Sequence, residues 1–204
     1  MRAGRRAALG LLLGSVVVAG CGVPVDDDPR AISRENVPEG VITDSTPTTN
    51  PEFTAAAEIY LVRSSEEDAR LVPVDRRVGV DSEGAAPGPA SVLEALLEAT
   101  PTEEEQNEGI TTQIPSDTQL ASPPEDPVDG TLVVNLTSGI FEAQGTPLIT
   151  AFGQITCTVV RGLGDVDAVT FEVDGEPREV PAGRQGALTD DPVTCVGGYG
   201  HLLR

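Results

Sequence analysis

Thr146-Pro147-Leu148-Ile149-Thr150-Ala151-Phe152-Gly153-Gln154-Ile155-Thr156-Cys157-Thr158-Val159-Val160 is the stretch on which the fold turns. Pro147 suits the first turn of a helix, where its missing N–H leaves nothing unbonded, with Thr146 ahead of it as the capping residue. Leu148, Ile149, Phe152, Ile155 and Val159 then recur at helical spacing. Against this, Ile155 to Val160 is rich in β-branched side chains, which are stiff at χ1 and favour strands. On propensity alone, helix and strand both stay open. Gly162 and Gly164 end the segment either way.

Downstream, Val169, Phe171 and Val173 alternate with Ala168, Thr170 and Glu172, the period of a strand. Asp174-Gly175 is a tight hairpin turn, from which Glu176 to Val180 returns. Upstream, the Asp129-Gly130 turn leads into a strand at Thr131 to Leu136, preceded by a loop carrying Pro123, Pro124 and Pro127. Thr112–Ile114 and Thr118–Ala121 read as strand, divided by Pro115. Ala90 to Thr100 reads as a helix with Val92, Leu93, Leu96 and Leu97 on one stripe, stopped by Pro101. Thr102-Glu103-Glu104-Glu105 is a capping box that opens a short acidic helix. Earlier still, Glu58 to Arg63 is a continuous apolar run, expected of a strand covered on both faces. Arg70 to Val78 alternates, with Val72, Val74 and Val78 on one face and Leu71, Pro73, Asp75 and Arg77 on the other. Pro73 cannot donate to a ladder, which places that strand at an edge. The two read as a hairpin around the polar turn Ser64–Asp68.

The start of the chain is of another kind. Arg2, Arg5 and Arg6 precede an apolar run from Ala7 to Ala19, followed by Gly20 and Cys21. That run falls short of the roughly 20 residues a membrane-spanning helix needs. A charged start, an apolar middle and small residues at the end form a secretory signal instead. Val18-Ala19-Gly20-Cys21 resembles a bacterial lipobox. The resemblance implies cleavage before Cys21, acylation of its thiol, and attachment to membrane lipid on the extracytoplasmic side of the cell membrane. Two or more acyl chains anchor stably where one is marginal. Arg5-Arg6 also resembles a twin-arginine export signal with poorly matching flanks. Gly22 to Phe53 is a linker with five prolines and the run Asp26-Asp27-Asp28, too poor in apolar residues to pack. As a flexible coil it spans on the order of 30 Å.

The 204 residues carry 33 acids against 13 basic residues, all arginine, for a formal charge of −20. Losing Arg2, Arg5 and Arg6 with the signal takes −20 to −23. That charge excludes nucleic acid as a partner, since a phosphate backbone is repelled and no basic patch exists to release counterions. Aromatic residues are 3% with no Trp, too few for the stacking platforms of sugar or base recognition.

Leu96-Leu97-Glu98-Ala99-Thr100-Pro101-Thr102 with Ile114-Pro115, then Gln154-Ile155-Thr156-Cys157-Thr158, Val166 and Val169 to Gly175, together resemble the two halves of a GerMN domain. The family is named for the sporulation and spore germination protein M and also occurs in secreted actinobacterial lipoproteins. The likeness covers roughly Ala57 to Pro181. Thr100 stands where the family pattern has glycine, and Cys157 and Cys195 are not family hallmarks. The resemblance implies a small single-domain α+β fold, a mixed or antiparallel sheet packed against two main helices, similar to ring-building domains. It favours the helical reading of Pro147–Val160. It also implies no enzymatic activity and no cofactor, but contact with an envelope protein, or self-assembly. The chain then divides into signal peptide (1–20), anchor and acidic linker (21–53), GerMN-like domain (54–182) and a C-terminal tail docked on it (183–204).

With Cys21 assigned to lipid, Cys157 and Cys195 form an even pair outside the cytoplasm, which reads as a disulfide rather than two separate thiols. Two cysteines so far apart lack metal-site spacing. Asp26–Asp28 and Glu103–Glu105 lack the spacing of a calcium loop. His201 is the only histidine, and the sequence points to no nucleophile or orienting acid beside it. No catalytic residue is assigned. The competing reading is an envelope enzyme or binding protein acting on wall polymers, a small ligand or a cation. The enzyme reading requires a cleft with convergent carboxylates, seen as Glu or Asp converging with Tyr60, Tyr199 or His201, or a Cys/His pair.

Overall fold

The computed structural model describes residues 53–64 and 69–203. In chain order they form β1 (Phe53–Ser64), β2 (Ala69–Val80), α1 (Pro89–Leu97), α2 (Glu103–Asn107), β3 (Ile110–Thr111) and β4 (Thr131–Leu136). A 3₁₀ turn (Ser138–Glu142), α3 (Thr146–Gly162), β5 (Ala168–Val173), β6 (Glu176–Pro177), β7 (Val180–Ala182), β8 (Ala187–Thr189), α4 (Cys195–Tyr199) and a closing 3₁₀ turn (Gly200–Leu203) follow. Cys21, the signal, the linker up to residue 52 and the turn residues 65–68 lie outside the described residues, while Phe53, assigned to the linker, opens β1. The α+β class is as expected, but the strands form three small sheets, ordered β2-β1-β3, β4-β5-β6 and β7-β8.

The ambiguous stretch is helix. Pro147 lies in its first turn, but Gly145, at φ 63°, is the capping residue, not Thr146. Thr146 is already helical, and its carbonyl accepts the Thr150 hydroxyl at 2.9 Å. Thr150 to Val159 are buried without interruption, so α3 is enclosed all round, not along one stripe. Each of its faces has a partner. Phe152 meets Phe171 of β5 edge-to-face at 4.9 Å. Gly153 and Cys157, one turn apart, face the C-terminal segment. A Cβ on Gly153 would lie 2.9 Å from Leu202 and 3.2 Å from Tyr199. The Cys157–Cys195 disulfide joins the same two elements. Tyr199 is fully buried and donates its hydroxyl to the Pro181 carbonyl at 3.0 Å.

The third face governs β1. That strand pairs along its whole length with β2, but with β3 only at Val62 and Arg63. At Tyr60, helical side chains replace a partner strand. The Tyr60 N–H donates to Thr158 Oγ1 at 2.8 Å, and Gln154 Nε2 donates to the Tyr60 carbonyl at 3.1 Å. Gln154 Oε1 accepts the Gln113 N–H at 2.8 Å, which ties in the chain after β3. One turn beyond Thr158, Gly162 lets the helix approach, since a Cβ there would sit 3.0 Å from the Glu58 carbonyl oxygen. Gln154, Thr158 and Gly162 are spaced four apart and share one helix face.

β1 is covered on both faces, with Ile59, Leu61 and Val62 wholly buried, and β2 is an edge strand, as Pro73 requires. Leu71 departs from the expected outward face: opposite Val62 it is buried, because the sheet is enclosed on both sides there. α1 ends at Leu97, short of Thr100, since a residue before proline is driven out of the helical region. The α2 capping box forms, Thr102 with Glu105 in both directions. Three strand expectations are corrected. Thr112–Ile114 is not strand, because the Thr112 hydroxyl accepts the Ile114 N–H and bends the chain. Thr118–Ala121 contributes only a bridge from Leu120 to Leu136. The return from Asp174-Gly175 pairs only through Pro177, after which Val180 joins β8. β4 and β5 are parallel, joined by α3 as a crossover.

Two outcomes follow. Thr158→Val leaves the buried Tyr60 N–H without an acceptor and lowers stability by about 1–3 kcal/mol in urea unfolding. Thr158→Ser, which keeps the hydroxyl, costs about 1 kcal/mol for the lost methyl. Separately, paired hydrogen bonds from Arg76 on β2, at 2.9 and 2.7 Å, hold the Glu105 carboxyl below its ordinary range. A depressed carboxyl stabilises the fold above its unfolded value, and that contribution is lost as pH falls through the folded one. Glu105→Gln therefore removes part of the loss of stability on acidification, seen as a shallower acid limb of melting temperature against pH.

Candidate functional site: an open edge on the second sheet

The Asp129-Gly130 turn positions the site. Both residues have positive φ, 51° and 74°, and Val128 and Thr131 close the hairpin by exchanging both backbone hydrogen bonds at 2.9 Å. β4 then alternates. Leu132, Val134 and Leu136 are wholly buried, while Thr131, Val133 and Asn135 face outward, Val133 at 45% exposure. Beside them on β5, Glu172 stands opposite Asn135.

The outer edge of β4 is bonded at both ends. At one end is the Val128–Thr131 pair. At the other, the Ala121 N–H donates to the Asn135 carbonyl and the Thr137 N–H to the Gln119 carbonyl, both at 2.9 Å. Between these points the segment holding Pro123, Pro124 and Pro127 leaves the strand, opening a groove of about 440 Å³. Val133 and Asn135 line its floor and Pro123, Pro124 and Val128 its wall, with Glu125, Asp126 and Glu172 bringing negative charge. Val128 is 73% exposed. Asn135 is held in place, its amide donating to Ser122 Oγ at 3.1 Å and accepting the Gly175 N–H at 3.1 Å. Such a groove offers strand-edge backbone, aliphatic surface and carboxylates.

The groups singled out for an enzyme are Tyr60 on β1, Tyr199 at the end of α4 and His201 in the closing 3₁₀ turn. The Tyr60 hydroxyl is raised in pKa by burial and then by a hydrogen bond with Glu58, and burial strongly raises Tyr199. Partial burial, then the charge of Arg184, hold His201 below its ordinary value. Glu58 meets Tyr60, Tyr199 is enclosed beside Pro181, and His201 lines a surface groove with Arg184. Cys157 and Cys195 are bonded to each other and buried. Among the described residues, no three His, Cys, Asp or Glu are placed to hold a metal, and no helix is long and apolar enough to cross a membrane. The groove itself escaped sequence reasoning. Its signals were Val133 at an outward position in β4 and three prolines just ahead of the strand.

The fold is similar to solved structures. Against the tandem GerMN domains of the sporulation protein GerM from Bacillus subtilis, the TM-score is 0.52 at 21% identity, covering 71% of this chain. This chain spans 46% of that protein's length. The first GerMN domain of the same protein aligns at TM-score 0.49 and 18% identity, over 69% of this chain and 97% of that one. No curated protein sequence matches. The family described as "Germane: Sporulation and spore germination" matches residues 58–179, nearly the span over which the GerMN resemblance was drawn. That match takes in more than half of the 204 residues, and the chain belongs to the Germane family.

Proposed function

We propose that this protein is a lipid-anchored envelope protein whose GerMN domain makes protein–protein contacts at the outer face of the membrane and does no chemistry of its own. Acylated Cys21 holds it there, and the linker lifts the domain clear of the headgroups. The observation that carries the reading is the groove along β4, where strand edge and aliphatic side chains are presented together on a domain of this family. Edge backbone left open is a template for another chain.

The test is site-specific photo-crosslinking in the native membranes. A photoreactive residue in place of Val128 is expected to give one discrete adduct. Cys21→Ser is expected to release the protein from the membrane and remove the adduct. A membrane-bound Cys21→Ser variant would contradict the anchor, and an absence of any discrete adduct, there or at other surface positions, would contradict the contact role.

A further inference from the structure

Resting on the reading of the groove as a protein-contact surface, we propose that its occupant is an extended basic segment of a partner protein, which enters the gap in the outer edge of β4 and pairs there with the backbone of Val133.

Strand geometry supports this first. Along a strand, alternate residues turn their N–H and C=O to the same side. Thr131 spends both groups outward on Val128, the Asn135 carbonyl accepts from Ala121, and the Thr137 N–H donates to Gln119. Val133 lies between them in the same phase, so its N–H and C=O also face outward, away from β5. Among the described residues neither has an outward backbone partner. The chain that would continue the ladder carries Pro123, Pro124 and Pro127, none of which has an N–H to give. The ladder is thus bonded at both ends and open at Val133, where an extended chain can exchange one pair of backbone hydrogen bonds, the local form of the contact that β-strand addition repeats along a whole edge.

Charge and surface supply the rest. Glu125 and Asp126 flank the groove and Glu172 lies on its floor, in a chain of net charge −20. An acidic segment or an anionic wall polymer is repelled, whereas Lys or Arg is attracted. Val128 and Val133 are exposed aliphatic surface that aliphatic residues of the incoming strand would cover.

The test uses the full chain in detergent and three short peptides. One alternates Val and Lys, a second has Glu for every Lys, and a third has Pro for every Val. The Val-Lys peptide is expected to shift the amide NMR resonances of Val133 and Asn135, with affinity falling about tenfold or more between about 50 mM and about 0.5 M salt. The other two are expected not to bind there, and Asp126→Asn with Glu172→Gln is expected to weaken binding about tenfold at unchanged melting temperature. Equal binding by the Lys-Pro peptide would reduce the effect to charge and overturn the proposal. So would absence of binding by Val-Lys, shifts confined to another face, or the same shifts produced by calcium alone. A crosslinked partner on a different face would leave the contact role standing and end this assignment of the groove.

Discussion

The fold depends on how one residue's backbone is satisfied. Tyr60 is nearly buried in β1, at a point where β3 no longer pairs with the strand. Its N–H and C=O would be orphaned there, a cost of about 1–3 kcal/mol for each buried group. Thr158 and Gln154 of α3 take both. Meeting that constraint sets the rotation of α3 about its own axis. With Gln154, Thr158 and Gly162 turned to β1, Gly153 and Cys157 must face the C-terminal segment and Phe152 must face β5. One helix orientation thus locates both larger sheets and the tail.

The sequence was legible where a single physical rule decides. Pro73 put β2 at an edge, Thr102 with Glu105 marked the α2 cap, and the alternation from Ala168 to Val173 marked β5. It misled where tertiary contacts override local preference. Gln154 and Thr158 lie off the apolar stripe of α3, yet both are buried. Only knowledge of the unpaired Tyr60 reveals why polar side chains belong there. Thr112 has a strand residue's propensity, but its hydroxyl bends its own backbone. The groove was hidden for a different reason. A proline-rich loop has no periodicity, and nothing in residues 122–128 shows that they run beside β4 and then part from it.

Three strand edges are managed in three ways. The β1 edge is sealed by polar side chains from a helix. The β2 edge is blunted by Pro73 and charged residues, Asp75 and Arg77 among them, which discourage pairing. The β4 edge is bonded at its ends and left open at Val133. The two closed edges belong to the first sheet and the short acidic gap to the second, and that contrast underlies the contact role given to the groove. The disulfide binds the C-terminal segment to α3, the Tyr199 hydroxyl binds it to Pro181 of β7, and Val193 exchanges backbone hydrogen bonds with Val169 of β5.

The most direct measurement is native-state hydrogen exchange at the Tyr60 amide. If Thr158 holds it as the structure describes, that amide exchanges only through global unfolding, with protection equal to that of core strand amides such as Leu61. Exchange at the rate of an open edge, well ahead of its neighbours, would show that α3 does not seal β1 and would contradict the account of how the fold is organised.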